Sequence, residues 1–306
     1  MCADSSIILS IVIPAYRRPA GLAEILAQLM PQVAGRDDTE IVVIDNDPEA
    51  SAKPVSGAAG VRYINEIRSG VVNARNRGIA EATGRYIVFL DDDQVPAPGW
   101  FAAYAAQAAV GVAASFGRIV PRFAATPAPG LHDLLAALYG RELDSPTGTE
   151  VSGSWSSLGT GNSMFDKAVF FPDGAPFDAR FNARGGEDSW MIRGLIARGL
   201  PLAWNAEALV EEVVPADRMT LASIKQRKFN HGQLRVICTY GDGGVRAAAA
   251  AAAWIAAGTL QAAYHGIRYL IFALVGSLQR DDAAARAHAG LGKLLWWRQP
   301  AVAYAN

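Results

Sequence analysis

Short apolar runs alternate with helical patterns through the first third of the chain. "IILSIVI" at Ile7–Ile13, "EIVVID" at Glu40–Asp45, "VRYIN" at Val61–Asn65 and "RYIVFL" at Arg85–Leu90 are rich in β-branched residues and read as strands. Between them, the apolar positions of Leu22–Val33 and of "GVVNARNRGIAEATG" recur at helical spacing. Strands alternating with helices predict an α/β fold with a mainly parallel sheet flanked by helices. Ligands bind such sheets beyond the carboxyl ends of the strands. Three of those ends are polar or special: "PAYRR" after the first strand, "DNDP" after the second and "DDDQ" after the fourth. They are expected to converge on one crevice.

Farther on, Gly111–Phe123 reads as a strand and Thr126–Gly130 as a Pro-rich loop. Pro146–Gly161 is rich in Ser, Thr and Gly and predicts a long surface segment able to close over a substrate. "GEDSWMIRGLIARG" predicts a helix from Glu187 to Arg198, stopped by Gly199. Met219–Tyr240 predicts a basic helix, and Val245–Gln279 a long apolar helix or a hairpin.

Composition narrows the function class. Apolar residues make up 51% of the chain and charged ones 19%, as in folded globular proteins. A formal net charge of −1 argues against a nucleic-acid partner held along the chain. The two cysteines, Cys2 and Cys238, form no expected disulfide, so a reducing compartment is the simpler assumption. "MCADSSIILSIVIPAY" lacks the basic leader and the apolar length of a signal peptide, so a cytoplasmic location is expected. Ala247–Ile267 opens on seven alanines and is just long enough to span a bilayer, but it is weakly apolar. Monotopic attachment to a membrane surface is the expected outcome, helped by the tryptophans of "LLWWRQP"; helices packed on the rest of the chain and a true span are the alternatives.

The chemistry concentrates in a few constellations. If the strand period continues through Asp91–Asp92–Asp93, Asp91 and Asp93 point to one side and Asp92 to the other. Two such carboxylates suit a hard divalent cation completed by water and phosphates; a polar strand exit is the alternative. Asp45 in "DNDP" can accept from a base N–H or a ribose hydroxyl, or can close an Asx-turn. Arg75 and Arg77 lie on opposite sides of a helix, so at most one faces the crevice and binds phosphate. In "RGGEDSW", Arg184–Trp190, two glycines allow close backbone approach before Glu187 and Asp188 open a helix. They can cap that helix, or supply a base for a sugar hydroxyl. Arg227 and His231, four residues apart on one helix face, offer a clamp on a leaving diphosphate, a contact to anionic lipid, or a merely solvated basic face. No G-x-G-x-x-G, Walker A loop or zinc-ligand spacing occurs.

Taken together, "SIVIPAYRR", "EIVVIDND", "GVVNARNRGIAEATGRYIVFLDDD" and "GGEDSWMIRGLIARG" resemble the inverting family 2 glycosyltransferases of the GT-A fold over roughly residues 10–237. The closer likeness is to bacterial exopolysaccharide transferases of the succinoglycan type. The resemblance implies a GT-A catalytic domain over 1–240, with a nucleotide-sugar half at about 7–123 and an acceptor half at 124–240. An apolar helical extension then follows over 241–306. It implies that Pro14, Ala15 and Tyr16 line the nucleotide base, that Asp45 reads the base edge and that Arg75 contacts the nucleotide. Asp91 and Asp92 would lie near ribose and metal, Asp93 would ligate Mg2+ or Mn2+ with Asp91 beside it, and Asp188 would be the base, flanked by Glu187. Asn162, Arg227 and His231 are candidates for diphosphate or acceptor contacts. The implied partners are a nucleoside-diphosphate sugar, UDP-linked by preference, and a saccharide or lipid-linked acceptor. "DND" stands where many members carry "DDGS", which weakens the role of Asp45. The Q-x-x-R-W of processive members is absent, which argues for addition of a single sugar. A non-catalytic nucleotide-sugar-binding or scaffold subunit is the alternative from another class.

Overall fold

The computed structural model of the chain describes residues 7–182, 185–241 and 243–298. Cys2, Arg184 and the end of "LLWWRQP" lie outside the described residues. The chain begins β1 (Leu9–Ala15), α1 (Pro19–Val33), β2 (Thr39–Asp45), α2 (Lys53–Ala59), β3 (Arg62–Asn65), α3 (Val71–Glu81) and β4 (Tyr86–Phe89). It continues with β5 (Gln94–Pro96), α4 (Trp100–Ala109), β6 (Ala114–Phe123), α5 (His132–Tyr139), β7 (Ser163–Asp166) and α6 (Lys167–Phe170). The last part holds α7 (Glu187–Ala197), β8 (Ala203–Val214), α8 (Leu221–Tyr240), α9 (Val245–Leu274) and α10 (Gln279–Leu294).

The strands form a sheet in the order β3–β2–β1–β4–β7–β6–β8–β5. All of β1 is buried, because parallel neighbours flank it and helices cover its faces. Its pairing with β2 sets Ala15 opposite Asp45, and its pairing with β4 sets Val12 opposite Phe89. The polar ends of the first, second and fourth strands therefore lie side by side, as the sequence predicts. The expectation of a mainly parallel sheet holds only for β1–β4. Beyond them, β7 runs antiparallel to β4 and to β6, and β5 antiparallel to β8, so the sheet is mixed.

Local sequence explains how the helices meet the sheet. Pro19 opens α1, where its missing N–H costs nothing. Leu22, Ile25, Leu26 and Leu29 form the buried stripe of that helix, and each stabilises the fold by roughly 1.5–3 kcal/mol. In α3, a Cβ on Gly78 would collide with Val12 of β1, so only glycine lets this helix lie so close. Close approach matters because α3 carries Arg75 on its buried side.

The described residues divide into two compact units, one within 7–120 and 141–212, the other within 121–140 and 213–298. The division groups α8 with α9 and α10, whereas the expected boundary at residue 240 separates them. Leu131, Leu135, Leu138, Tyr139, Val214, Met219, Ile224 and Ala285 form a core within the second unit. The expected apolar segment Val245–Gln279 is a single 30-residue helix followed by a turn, and α10 pairs back against it. Glycines allow the contact: a Cβ on Gly290 would lie 2.6 Å from Ala262 N, and one on Gly292 would collide with the Phe229 carbonyl of α8. Among the described residues no helix is long and apolar enough to cross a membrane, which removes the spanning alternative for Ala247–Ile267. Alanine contributes too little apolar surface per residue for such a run to cross.

Candidate active site

The acidic triplet departs from simple strand alternation. β4 ends at Phe89, and Asp92 and Asp93 already belong to a turn. The strand period therefore does not continue through the triplet, and Asp93 shares an arginine with Asp92. Arg18 Nη1 donates to Asp92 Oδ1 at 3.1 Å and to Asp93 Oδ2 at 2.6 Å. The Tyr16 N–H donates to Asp92 Oδ2 at 2.8 Å, which ties the triplet to the end of β1.

Asp91 turns instead toward Arg75. The Arg75 guanidinium is 5% exposed, so each of its donors needs a partner. Nη2 donates to Asp91 Oδ1 at 3.2 Å, while Nη1 donates to Glu187 Oε1 and Asp188 Oδ1, both at 2.7 Å. One arginine thus joins the end of β4 to the start of α7. Arg77 lies on the other side of α3 and pairs with Glu81 at 2.8 Å. Nη1 and Nη2 of Arg75, expected to meet a nucleotide, are engaged by three carboxylates, while its Nε is buried without a hydrogen-bond partner among the described residues.

At the start of α7, Gly186 adopts φ 94°, a left-handed conformation that favours glycine. Glu187 is buried, whereas the Asp188 side chain is 25% exposed. Thr160 orients it: the hydroxyl donates to Asp188 Oδ1 at 2.5 Å and the backbone N–H to Oδ2 at 3.2 Å. The Thr160 loop is held in turn by buried Arg141, which donates to the carbonyls of Gly117, Gly159, Gly161 and Asn162 at 2.6–2.8 Å. A Cβ on Gly161 would collide with the Asp91 carboxylate, and one on Gly159 would lie 3.3 Å from Asp188 Oδ2. These glycines let the loop close on both halves of the site. Sequence reasoning missed Arg18, Thr160 and Arg141. "PAYRR" contains the first and the Ser/Thr/Gly-rich segment Pro146–Gly161 contains Thr160, but nothing local marks Arg141.

Residues 10–170, more than half of the chain, match the family model described as glycosyl transferase family 2. The chain belongs to that family. It is therefore a glycosyltransferase. It is 29% identical over 228 residues to the succinoglycan biosynthesis protein ExoM of Rhizobium meliloti, a match covering 71% of each chain. Validoxylamine A glucosyltransferase of Streptomyces hygroscopicus subsp. jinggangensis is 28% identical over 255 residues, covering 73% of this chain and 59% of that protein. Among solved structures, the mannosyltransferase PcManGT of Pyrobaculum calidifontis, in complex with GDP-Man and Mn2+, superposes with a TM-score of 0.60 at 20% identity. That likeness covers 96% of this chain and 89% of the other. S. aureus TarS 1-349 in complex with UDP-GlcNAc has a TM-score of 0.57 at 12% identity, covering 94% and 90%. The fold is the expected GT-A fold with C-terminal helices.

The electrostatics of this family 2 site are those of a cation-deficient cluster. Asp91, Asp92, Asp93, Glu187 and Asp188 face Arg18 and Arg75. Desolvation and the Asp93 charge push Asp92 up to about 7. Burial and the Asp188 charge push Glu187 up to about 7 as well, and its Oε2 is buried without a hydrogen-bond partner among the described residues. Burial also raises Asp91. Such a cluster would repel a diphosphate, so its hard oxygens fit a divalent cation as intermediary. No three His, Cys, Asp or Glu side chains among the described residues converge into a metal cage. The donor set fits a cation held by one or two carboxylates and completed by substrate and water.

Other expected site residues of the transferase lie differently. Asn162 is fully buried: Oδ1 accepts from Trp100 Nε1 at 2.7 Å and Tyr104 OH at 3.0 Å, and Nδ2 donates to the Arg118 and Ala208 carbonyls at 2.8 Å. Its amide has no capacity left for a diphosphate or acceptor, which corrects that expectation. Asp45 is also buried and adopts the Asx-turn alternative, accepting from Asp47 N at 3.1 Å, Ala52 N at 2.8 Å and Tyr63 OH at 3.0 Å. Burial and this bond push the Tyr63 phenol up to about 12. Pro14 and Ala15 end β1 as buried residues, and Tyr16 follows them with the Arg17 guanidinium 5.2 Å from its ring centroid. Arg227 and His231 lie on α8 in the second unit, with Arg227 stacked 4.4 Å from the Tyr139 ring centroid. They are not among the residues gathered in the first unit.

Proposed function

We propose that this transferase moves a single sugar from a nucleoside-diphosphate donor, UDP-linked by preference, to a saccharide or lipid-linked acceptor, with inversion of configuration. The setting is cell-surface or exopolysaccharide synthesis at the cytoplasmic face of the inner membrane. The likeness to a succinoglycan biosynthesis protein supports the pathway class. The observation that carries the chemistry is Arg75, one guanidinium bonded to both Asp91 and Asp188. It couples the acid at the donor side to the residue we assign as base.

In this reading Pro14, Ala15 and Tyr16 line the nucleotide base, while Asp45 shapes the turn beside them. Asp93 and Asp91, near Asp92, would hold Mg2+ or Mn2+, which when bound would supply positive charge against the departing nucleoside diphosphate. Asp188, oriented by Thr160 and Arg75, takes the proton of the acceptor hydroxyl. That oxygen bonds to the anomeric carbon as the bond from carbon to diphosphate oxygen breaks on the opposite face. One displacement inverts the centre, and the electron pair leaves with the diphosphate. Glu187 balances Arg75 from the buried side.

Calorimetric titration of the donor with and without chelator tests the metal assignment. We expect chelation to weaken wild-type binding by at least about tenfold, and Asp93→Ala to abolish the difference. Donor binding indifferent to chelator in the wild type would remove the metal from the account.

A further inference from the structure

The exposed face of α9 changes character along its length. Leu260, Tyr264, Ile267, Ile271 and Leu274 follow one another at spacings of four and three, and Leu278 continues the stripe beyond the helix end. Their exposure runs from 52% at Leu278 to 87% at Leu274, although α10 covers the opposite side of the helix. Before Leu260 the exposed positions of that face are Ala256, Ala253 and Ala249, with Arg246 at the helix start. A coiled-coil partner would need a seam of three to four heptads. This band has about two before α9 ends at Leu274.

Charge indicates what covers the band. Residues 221–298 carry ten Lys and Arg against three Asp and no Glu, a net charge of +7, in a chain whose total is −1. Asp281 and Asp282 are already paired, with Arg280 at 3.6 Å and Arg286 at 2.8 Å. Arg268 lies along the band, its guanidinium 5.8 Å from the Tyr264 ring centroid and 5.1 Å from that of Phe272. An arginine stacked on aromatic rings beside exposed aliphatic side chains suits a headgroup layer, where the cation meets phosphate and the apolar side chains enter the acyl boundary.

We propose that the C-terminal half of α9 and the turn after it form a monotopic docking surface for an anionic lipid bilayer. The inference rests on the membrane setting of the proposed function and names the face and the lipid charge that serve it. A face that enters one leaflet without crossing would hold the enzyme beside a lipid-linked acceptor.

Co-sedimentation of the full chain with phosphatidylcholine vesicles, with and without phosphatidylglycerol, tests this directly. Binding to anionic vesicles is expected to be at least about tenfold tighter than to neutral ones and to weaken with salt. The double variant Ile267→Glu/Ile271→Glu changes two exposed side chains, so it is expected to melt like the wild type while losing that binding. Failure of the wild type to bind anionic vesicles, or equal binding by the variant, would overturn the inference. A concentration-dependent dimer that the variant abolishes, without vesicle binding, would assign the face to a second copy and overturn it equally. Donor hydrolysis measured without vesicles reads the transferase assignment separately. Intact hydrolysis with no lipid binding sinks only the docking surface.

Discussion

Asp188→Asn is expected to lower the turnover number for sugar transfer by about 10²–10⁴-fold while donor affinity stays nearly unchanged. The substitution keeps the shape of the side chain and one acceptor oxygen, which can serve the Thr160 hydroxyl at 2.5 Å and Arg75 at 2.7 Å, and it gives up the weaker bond from the Thr160 N–H at 3.2 Å. Arg75 retains Asp91 and Glu187, so no buried cation is stranded. The structural cost is therefore small, about 1 kcal/mol. What disappears is the group that accepts the hydroxyl proton. Steady-state kinetics beside a donor titration separate the two effects, and an Asn variant that turns over normally would remove Asp188 from the role of base.

Arg75→Met should act in the opposite sense, on the fold as much as on the chemistry. Met approximates the length of the side chain but leaves Asp91, Glu187 and Asp188 together without their shared cation. Removing one partner of a buried ion pair costs about 3–5 kcal/mol. The loss should depend on pH. Glu187 already stands at about 7 with Arg75 present, and without it the folded-state carboxylates bind protons more tightly still. Groups raised in the folded state contribute stability at low pH and lose it as pH rises through the folded value. The deficit of the variant should therefore be small near the ordinary carboxylate range and grow toward and above pH 7. Denaturant melts across that interval check the sign; a deficit that is constant with pH would mean that the carboxylates are not what Arg75 balances.

The first half of the fold was legible because β1, β2 and β4 are continuous apolar runs, and only a strand buried on both faces needs such a run. β8 was not. Its "AWNAEALVEEVV" mixes alanine and glutamate with valine, and sheet pairing rather than local preference makes it a strand. β5 and β7 have three and four residues, too few for a period to show. The helix α10 was hidden by glycines that serve its packing against α8 and α9.

The site was legible where a motif carried it and obscure where tertiary contact did. Glu187 and Asp188 stood out because acids follow two glycines at a helix start. Arg141 acts through four backbone carbonyls that no local pattern associates with it. Asn162 misled because a buried amide that holds a turn has the same local sequence as one that holds a ligand. The triplet misled in its geometry, since β4 stops at Phe89 and a turn takes over.

Incubation of the full chain with a panel of UDP-, GDP- and dTDP-sugars and Mn2+, with release of nucleoside diphosphate as the readout, tests whether the site transfers sugar with Asp188 as base. One class of donor is expected to be bound and slowly consumed, with nucleoside diphosphate released by the wild type and not by Asp188→Asn. Donors that bind tightly but are never cleaved, with or without saccharide acceptors, would contradict it and leave a nucleotide-sugar-binding subunit in its place.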